Sequence, residues 1–156
     1  MGHVFGKKSL EKLETCHPDL QKIMKLAISR SFVDFGISEG MRSVERQKEL
    51  FDKGLSKIDG VTRKGKHNYD PSQAVDIYCY HSNPDTRRKI AYDMTHLAFV
   101  AGVIQSCAVE LKNKGDITSD IRWGGNWNSD GVLVFDQSFI DGPNHEIKLD
   151  FVDNLP

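Results

Sequence analysis

The chain has 156 residues, 38% of them hydrophobic and 28% charged, and its 21 basic and 22 acidic side chains leave a formal net charge of −1. That composition reads as ordinary for a soluble globular protein, with no low-complexity tract; the charge balance gives no electrostatic reason to expect nucleic acid or an anionic membrane as partner. No run approaches the roughly 18 apolar residues of a membrane span, and the length suits one domain with a sizeable core.

The opening stretch, MGHVFGKKSLEKLETCHPDL, lacks an apolar segment and a small-residue cleavage site, so it does not read as a signal peptide. No Ser or Thr at position 6 completes a lipidation motif with Gly2. From Asp19, Leu20, Ile23, Met24, Ala27 and Ile28 recur with a helical period, bracketed by Pro18 and Gly36. In "VDFGIS", Val33, Phe35 and Ile37 share one side of a short extended segment. A second helix is expected from Ser43 to Lys53, capped by Ser43, with Val44, Leu50 and Phe51 inward and Gly54 ending it. Residues 54–73 read as a long loop, and long loops in compact domains are often functional.

"AVDIYCY" has the β-branched and aromatic density of a strand. The segment from Ser82 to Gly115 reads as one long helix, with Asn83 as cap and Pro84 at the first helical position. Ile90, Met94, Leu97, Ala101, Ile104, Ala108 and Leu111 form its stripe, and Gly102 is the place to expect a break. "IRWGGNW" reads as a Trp/Gly-rich turn, with Trp123 expected in the core and Trp127 left open. In "HEIKLDF", His145, Ile147, Leu149 and Phe151 alternate with Glu146, Lys148 and Asp150, which predicts a half-buried strand with His145 at its first inward position. The expected fold class is a single α+β domain, a small antiparallel sheet packed with helices.

Three cysteines, Cys16, Cys79 and Cys107, with no CxxC spacing argue against a disulfide framework or a cysteine zinc site. Cys79 and Cys107 sit in apolar runs and read as buried thiols, which points to synthesis in a reducing compartment.

Of the six histidines, His3 and His17 read as solvated and His81 and His96 as structural. His67 and His145 differ, each lying beside an acidic residue at the start of a strand or in the loop before it. With Asp76, nine residues after His67, they could form a zinc site of two imidazoles and one carboxylate with a position open for water. Asp141, four residues before His145 across Gly142-Pro143-Asn144, could then handle the proton. Spacing alone does not choose between this site and a loop histidine with a water-facing strand aspartate. Arg42 stands at a helix start, where a cation is mildly unfavourable against the dipole, so it either is solvated or faces an anion. Arg46 reads as a surface residue.

Taken in order, "ISEGMRSVERQKELFDKGLSK", "KHNYDPSQAVDI", "IRWGGNW" and "DGPNHEIK" resemble the zinc D-alanyl-D-alanine carboxypeptidase/dipeptidase-like family. The likeness is closest to its branch of phage endolysins that cut the L-alanyl-D-glutamate bond of peptidoglycan. The resemblance implies zinc on His67, Asp76 and His145 at one end of the sheet, Asp141 as general base and acid, and Arg42 as the cation at the scissile carbonyl. It sets Ser38 and Gln47 near the substrate. It also implies a monomeric lysis enzyme with peptidoglycan as partner. Such an enzyme would wait in the host cytoplasm and then act at the cell wall, residues 1–156 being one catalytic domain without a separate wall-binding module. Three departures from the family pattern stand out. "DGPNH" holds its aspartate four residues before the histidine rather than three, so either a bulge at Pro143-Asn144 restores the geometry or Glu146 takes the role. Gly65 replaces a common serine, and Asn126 a common aspartate. A D-alanyl-D-alanine carboxypeptidase and a non-catalytic peptidoglycan-binding protein are the alternatives.

Overall fold

The computed structural model describes residues 2–148. Helix α1, Lys7–Leu13, precedes α2, Pro18–Arg30. The sequence reading gave no helix at α1, which is too short for its period to show. Its Leu13 is fully buried all the same. In α2 the expected face is the buried one: Leu20, Ile23, Met24, Ala27 and Ile28 all lie in the core. His17 is not simply solvated, because its Nδ1 accepts from the Asp19 amide at 3.0 Å and caps this helix.

Strand β1, Phe35–Glu39, leads through the Ser43 cap into α3, Val44–Asp52. Here the expected apolar face is corrected. Val44 and Phe51 are 42% and 43% exposed, Leu50 is half-buried, and the buried residue of α3 is Gln47. The helix sits on a polar network rather than on the core. After a loop containing a 3₁₀ turn at Lys66–Asn68 comes β2, Ala74–Cys79.

The expected single long helix is two: α4, Pro84–Ile90, and α5, Met94–Asn113. Asn83 caps the first through the Asp85 and Thr86 amides at 3.0 Å each, as its sequence signal predicts. The break falls at residues 91–93, not at Gly102. There the Ala91 carbonyl accepts from Cys79 N (2.9 Å), and the Asp93 side chain caps α5 through His96 N (3.1 Å). α5 runs on through Gly102, whose vacant Cβ position faces open space. Its 20 residues include a window of mean hydropathy 1.4, long and apolar enough to cross a membrane by length and composition, which corrects the earlier count of apolar runs. In this fold α5 packs on α2 and the sheet, with Leu97, Val100, Ile104 and Cys107 in the core.

Strand β3, Asp120–Gly124, occupies most of what read as a Trp/Gly turn, and β4, Asp141–Lys148, begins four residues before His145. Leu149 and Phe151, expected to continue β4, lie outside the described residues. The sheet is antiparallel throughout in the order β1-β2-β4-β3. Ile77, Val75, Ile121 and Ile147 meet the helices from it. Cys16, Cys79 and Cys107 are free and buried.

Candidate active site

The 3₁₀ turn carries His67 across the end of β1. Its Nδ1–H donates to the Gly40 carbonyl at 2.8 Å, which fixes the ring and turns Nε2 toward Asp76 Oδ1, 3.3 Å away. The Arg42 amide returns the tie by donating to the His67 carbonyl at 2.7 Å. Burial alone would lower the His67 pKa. The Asp76 carboxylate more than offsets this and raises it, so the pair draws positive charge to this point.

Three buried atoms around this pair lack any hydrogen-bond partner: Asp76 Oδ1, His145 Nδ1 and His145 Nε2. His145, in the middle of β4, is fully buried, and burial pushes its pKa down to about 4 against the opposing charge of Asp76. The imidazole is therefore neutral near pH 7, the form that ligates a metal. Buried polar atoms are normally paired, so two bare nitrogens on one side chain need a physical reason. A cation shared with Asp76 and His67 supplies one, and these donors suit zinc. Among the described residues, no three such side chains are yet gathered closely enough to enclose an ion. His67 and Asp76 meet directly, while His145 joins them only through the charge it feels from Asp76.

Asp141 opens β4. Burial raises its pKa to about 6 and the Asp76 charge adds to this, with His67 and Arg42 opposing. The extra residue in "DGPNH" falls where the sheet is irregular. One step along β3, from Trp123 to Gly124, spans four along β4, from His145 to Asp141. The strands come so close here that a Cβ on Gly124 would collide with the Asp141 carbonyl. Glu146 is engaged elsewhere, accepting from Arg122 Nη2 (3.1 Å) and Asn144 Nδ2 (2.9 Å).

Arg42 lies beside the pair, with Nη2 3.6 Å from Asp76 Oδ2. Glu39 grips it through Nε at 2.8 Å and Nη2 at 2.5 Å. Glu39 is a site residue the sequence reading missed; an acid three residues before the arginine was the available signal. Gln47 is not placed to meet a substrate. It is 2% exposed, and its Oε1 accepts from Arg42 Nη1 at 2.9 Å. Ser38, half-buried in β1, lies near Tyr92, a 61% exposed residue in the α4–α5 break that the sequence gave no reason to select; burial raises the Tyr92 pKa and Ser38 opposes the rise.

Trp123 is buried as expected, its indole N–H donating to the Gly142 carbonyl at 2.6 Å. Trp127 is half-buried; its N–H donates to the Phe139 carbonyl, and the Arg122 guanidinium lies 5.1 Å from its ring centre. A groove of about 460 Å³ between α5 and β3 is walled by Ala98, Ala101, Trp123 and Leu133, but none of His67, Asp76 or Asp141 lines it.

Comparison with known proteins adds three findings. The model of a family described as phage L-alanyl-D-glutamate peptidase matches residues 1–148. The L-alanyl-D-glutamate peptidase of Escherichia phage T5 is 30% identical over 132 residues, 84% of this chain and 86% of that protein. The crystal structure of the Serratia marcescens L-Ala D-Glu endopeptidase ChiX is similar with a TM-score of 0.68 at 26% identity, covering 93% of this chain and 90% of that one.

Proposed function

Because the chain belongs to the phage L-alanyl-D-glutamate peptidase family, we propose that it hydrolyses the bond between L-alanine and D-glutamate in peptidoglycan stem peptides, with zinc held by His67, Asp76 and His145. The observation that carries the zinc assignment is the fully buried, neutral His145 with neither nitrogen hydrogen-bonded, coupled to Asp76, whose Oδ1 meets His67 Nε2 at 3.3 Å without an aligned hydrogen bond. When bound, zinc supplies the Lewis acidity that makes water a nucleophile at neutral pH and polarises a carbonyl.

The protein's own groups do the rest. Asp141 takes the proton of the attacking water and returns it to the amine of D-glutamate as the peptide bond breaks. Asp141, whose pKa burial first and Asp76 next raise to about 6, is still mostly ionised at pH 7 and able to act as the base. Arg42 turns its guanidinium to the oxyanion that develops on the scissile carbonyl. Gly40 holds the His67 ring in one tautomer through Nδ1. The enzyme acts as a monomer on the wall of the phage's host, after release from the host cytoplasm.

A pair of variants tests the roles. His67→Ala loses stoichiometric zinc. Asp141→Ala keeps zinc and fold, and its kcat falls by a factor of about 100 or more. Metal content and turnover on a soluble muropeptide read both, and undiminished turnover in Asp141→Ala would remove it as the base.

A further inference from the structure

Gln47 has every polar atom of its amide engaged inside the protein. Oε1 accepts from Arg42 Nη1 at 2.9 Å, and Nε2 donates to Ser56 Oγ at 2.8 Å and to the Ile58 carbonyl at 2.7 Å. Ser56 Oγ in turn accepts from Ile58 N at 3.1 Å, which closes this stretch on itself. Gly60 then passes over the same side chain at φ +79°, so near that an added Cβ would come within 2.9 Å of Gln47 Cγ. One face of the glutamine thus meets Arg42 and the other meets the loop.

Arg42 is held from its second side by Glu39, and its guanidinium still reaches toward Asp76. An arginine gripped on two edges presents its charge in one orientation. That matters for catalysis, since a misplacement of about 1 Å in a charge-stabilising group can cost about a hundredfold in rate. We propose that Gln47 is a positioning residue that sets the guanidinium of Arg42, and that residues 56–60 act on the site through it. This rests on the reading of Arg42 as the group facing the oxyanion. It replaces direct substrate contact by Gln47, for which no amide atom remains.

The test uses Gln47→Met, which keeps length and removes all three hydrogen bonds, and Gln47→Glu, which keeps an acceptor for Arg42 and loses the donors to the loop. The first readout is side-chain NMR of Arg42 in the metal-free protein, independent of turnover. Resolved guanidinium signals in the wild type, averaged by rotation in Gln47→Met and intermediate in Gln47→Glu, are expected. The second readout is kinetics on a soluble muropeptide. Gln47→Met should lower kcat by about tenfold to a hundredfold with KM changed less than about twofold, and Gln47→Glu, which keeps the Arg42 contact without the loop ties, should fall between it and the wild type. Unchanged Arg42 signals in Gln47→Met, or a raised KM with kcat intact, would overturn the proposal. If Gln47→Met does not fold, Ser56→Ala removes one tie and should shift both readouts in the same direction by less. A wild type with ordered Arg42 signals and no hydrolysis would overturn the peptidase reading instead, and the NMR arm would still decide the positioning.

Discussion

His145 makes two opposite predictions meet in one side chain. As an apolar-site histidine with two bare nitrogens it costs stability, since each unsatisfied buried polar atom carries a desolvation penalty of about 1–3 kcal/mol. As a metal ligand it repays that cost only when the ion is present. His145→Leu is therefore expected to leave the metal-free protein at least as stable, by an order of 1 kcal/mol, while abolishing zinc binding. Denaturant unfolding with and without zinc checks this. A variant that binds zinc as the wild type does would show that the nitrogens are orphaned for some other reason. At this scale the sequence was informative where chemistry and chain direction coincide. His67 and Asp76 stand at a loop and the strand after it, and they meet at 3.3 Å. Gln47 was misread because its partners, Ser56 and Ile58, lie in a loop whose path depends on tertiary contacts. Glu39 stood three residues before Arg42, a spacing whose meaning shows only once the two side chains meet.

Elements were legible to the extent that their periodicity was complete. α2 shows its whole buried face in sequence, and its structure follows it. The stripe from Ile90 to Leu111 kept its period through residues 91–93, which hid the Asp93 cap and the corner that joins Ala91 to β2. Asp19, in the first turn of α2, shows how such elements are fastened. Its Oδ2 accepts from Thr118 N (3.2 Å), Ser119 N (3.1 Å) and Ser119 Oγ (2.7 Å), tying α2 to the chain just before β3. Burial would raise this carboxyl, but those hydrogen bonds outweigh it and the pKa is lowered. A depressed native pKa contributes stability that is present above the unfolded value, about 3.9, and lost as pH falls through the native one. Asp19→Asn is accordingly expected to cost about 1–3 kcal/mol at pH 7, with the gap to the wild type closing as pH drops below about 4. Chemical denaturation at several pH values measures it, and a gap that stays constant down to pH 2 would contradict the account.

For the whole molecule, the α2–α5 pair backs a four-stranded sheet whose β2 and β4 carry Asp76, Asp141 and His145. The fold class could be read from the alternation of elements. The strand order β1-β2-β4-β3 could not, because it depends on β4 inserting between strands that precede it. Leu20, fully buried in this core, separates stability from function. Leu20→Ala should lose about 2–5 kcal/mol while turnover per folded molecule stays at the wild-type level, read by unfolding and active-site-normalised kinetics. One measurement addresses the proposed zinc-dependent cut between L-alanine and D-glutamate directly. Purified peptidoglycan is incubated with the protein as prepared, after chelation and after zinc is restored, and new amino termini are identified by mass spectrometry. New termini on D-glutamate that disappear with chelator and return with zinc are the predicted result. Release of D-alanine, cleavage that survives complete removal of metal, or zinc bound without any cleavage would each contradict it.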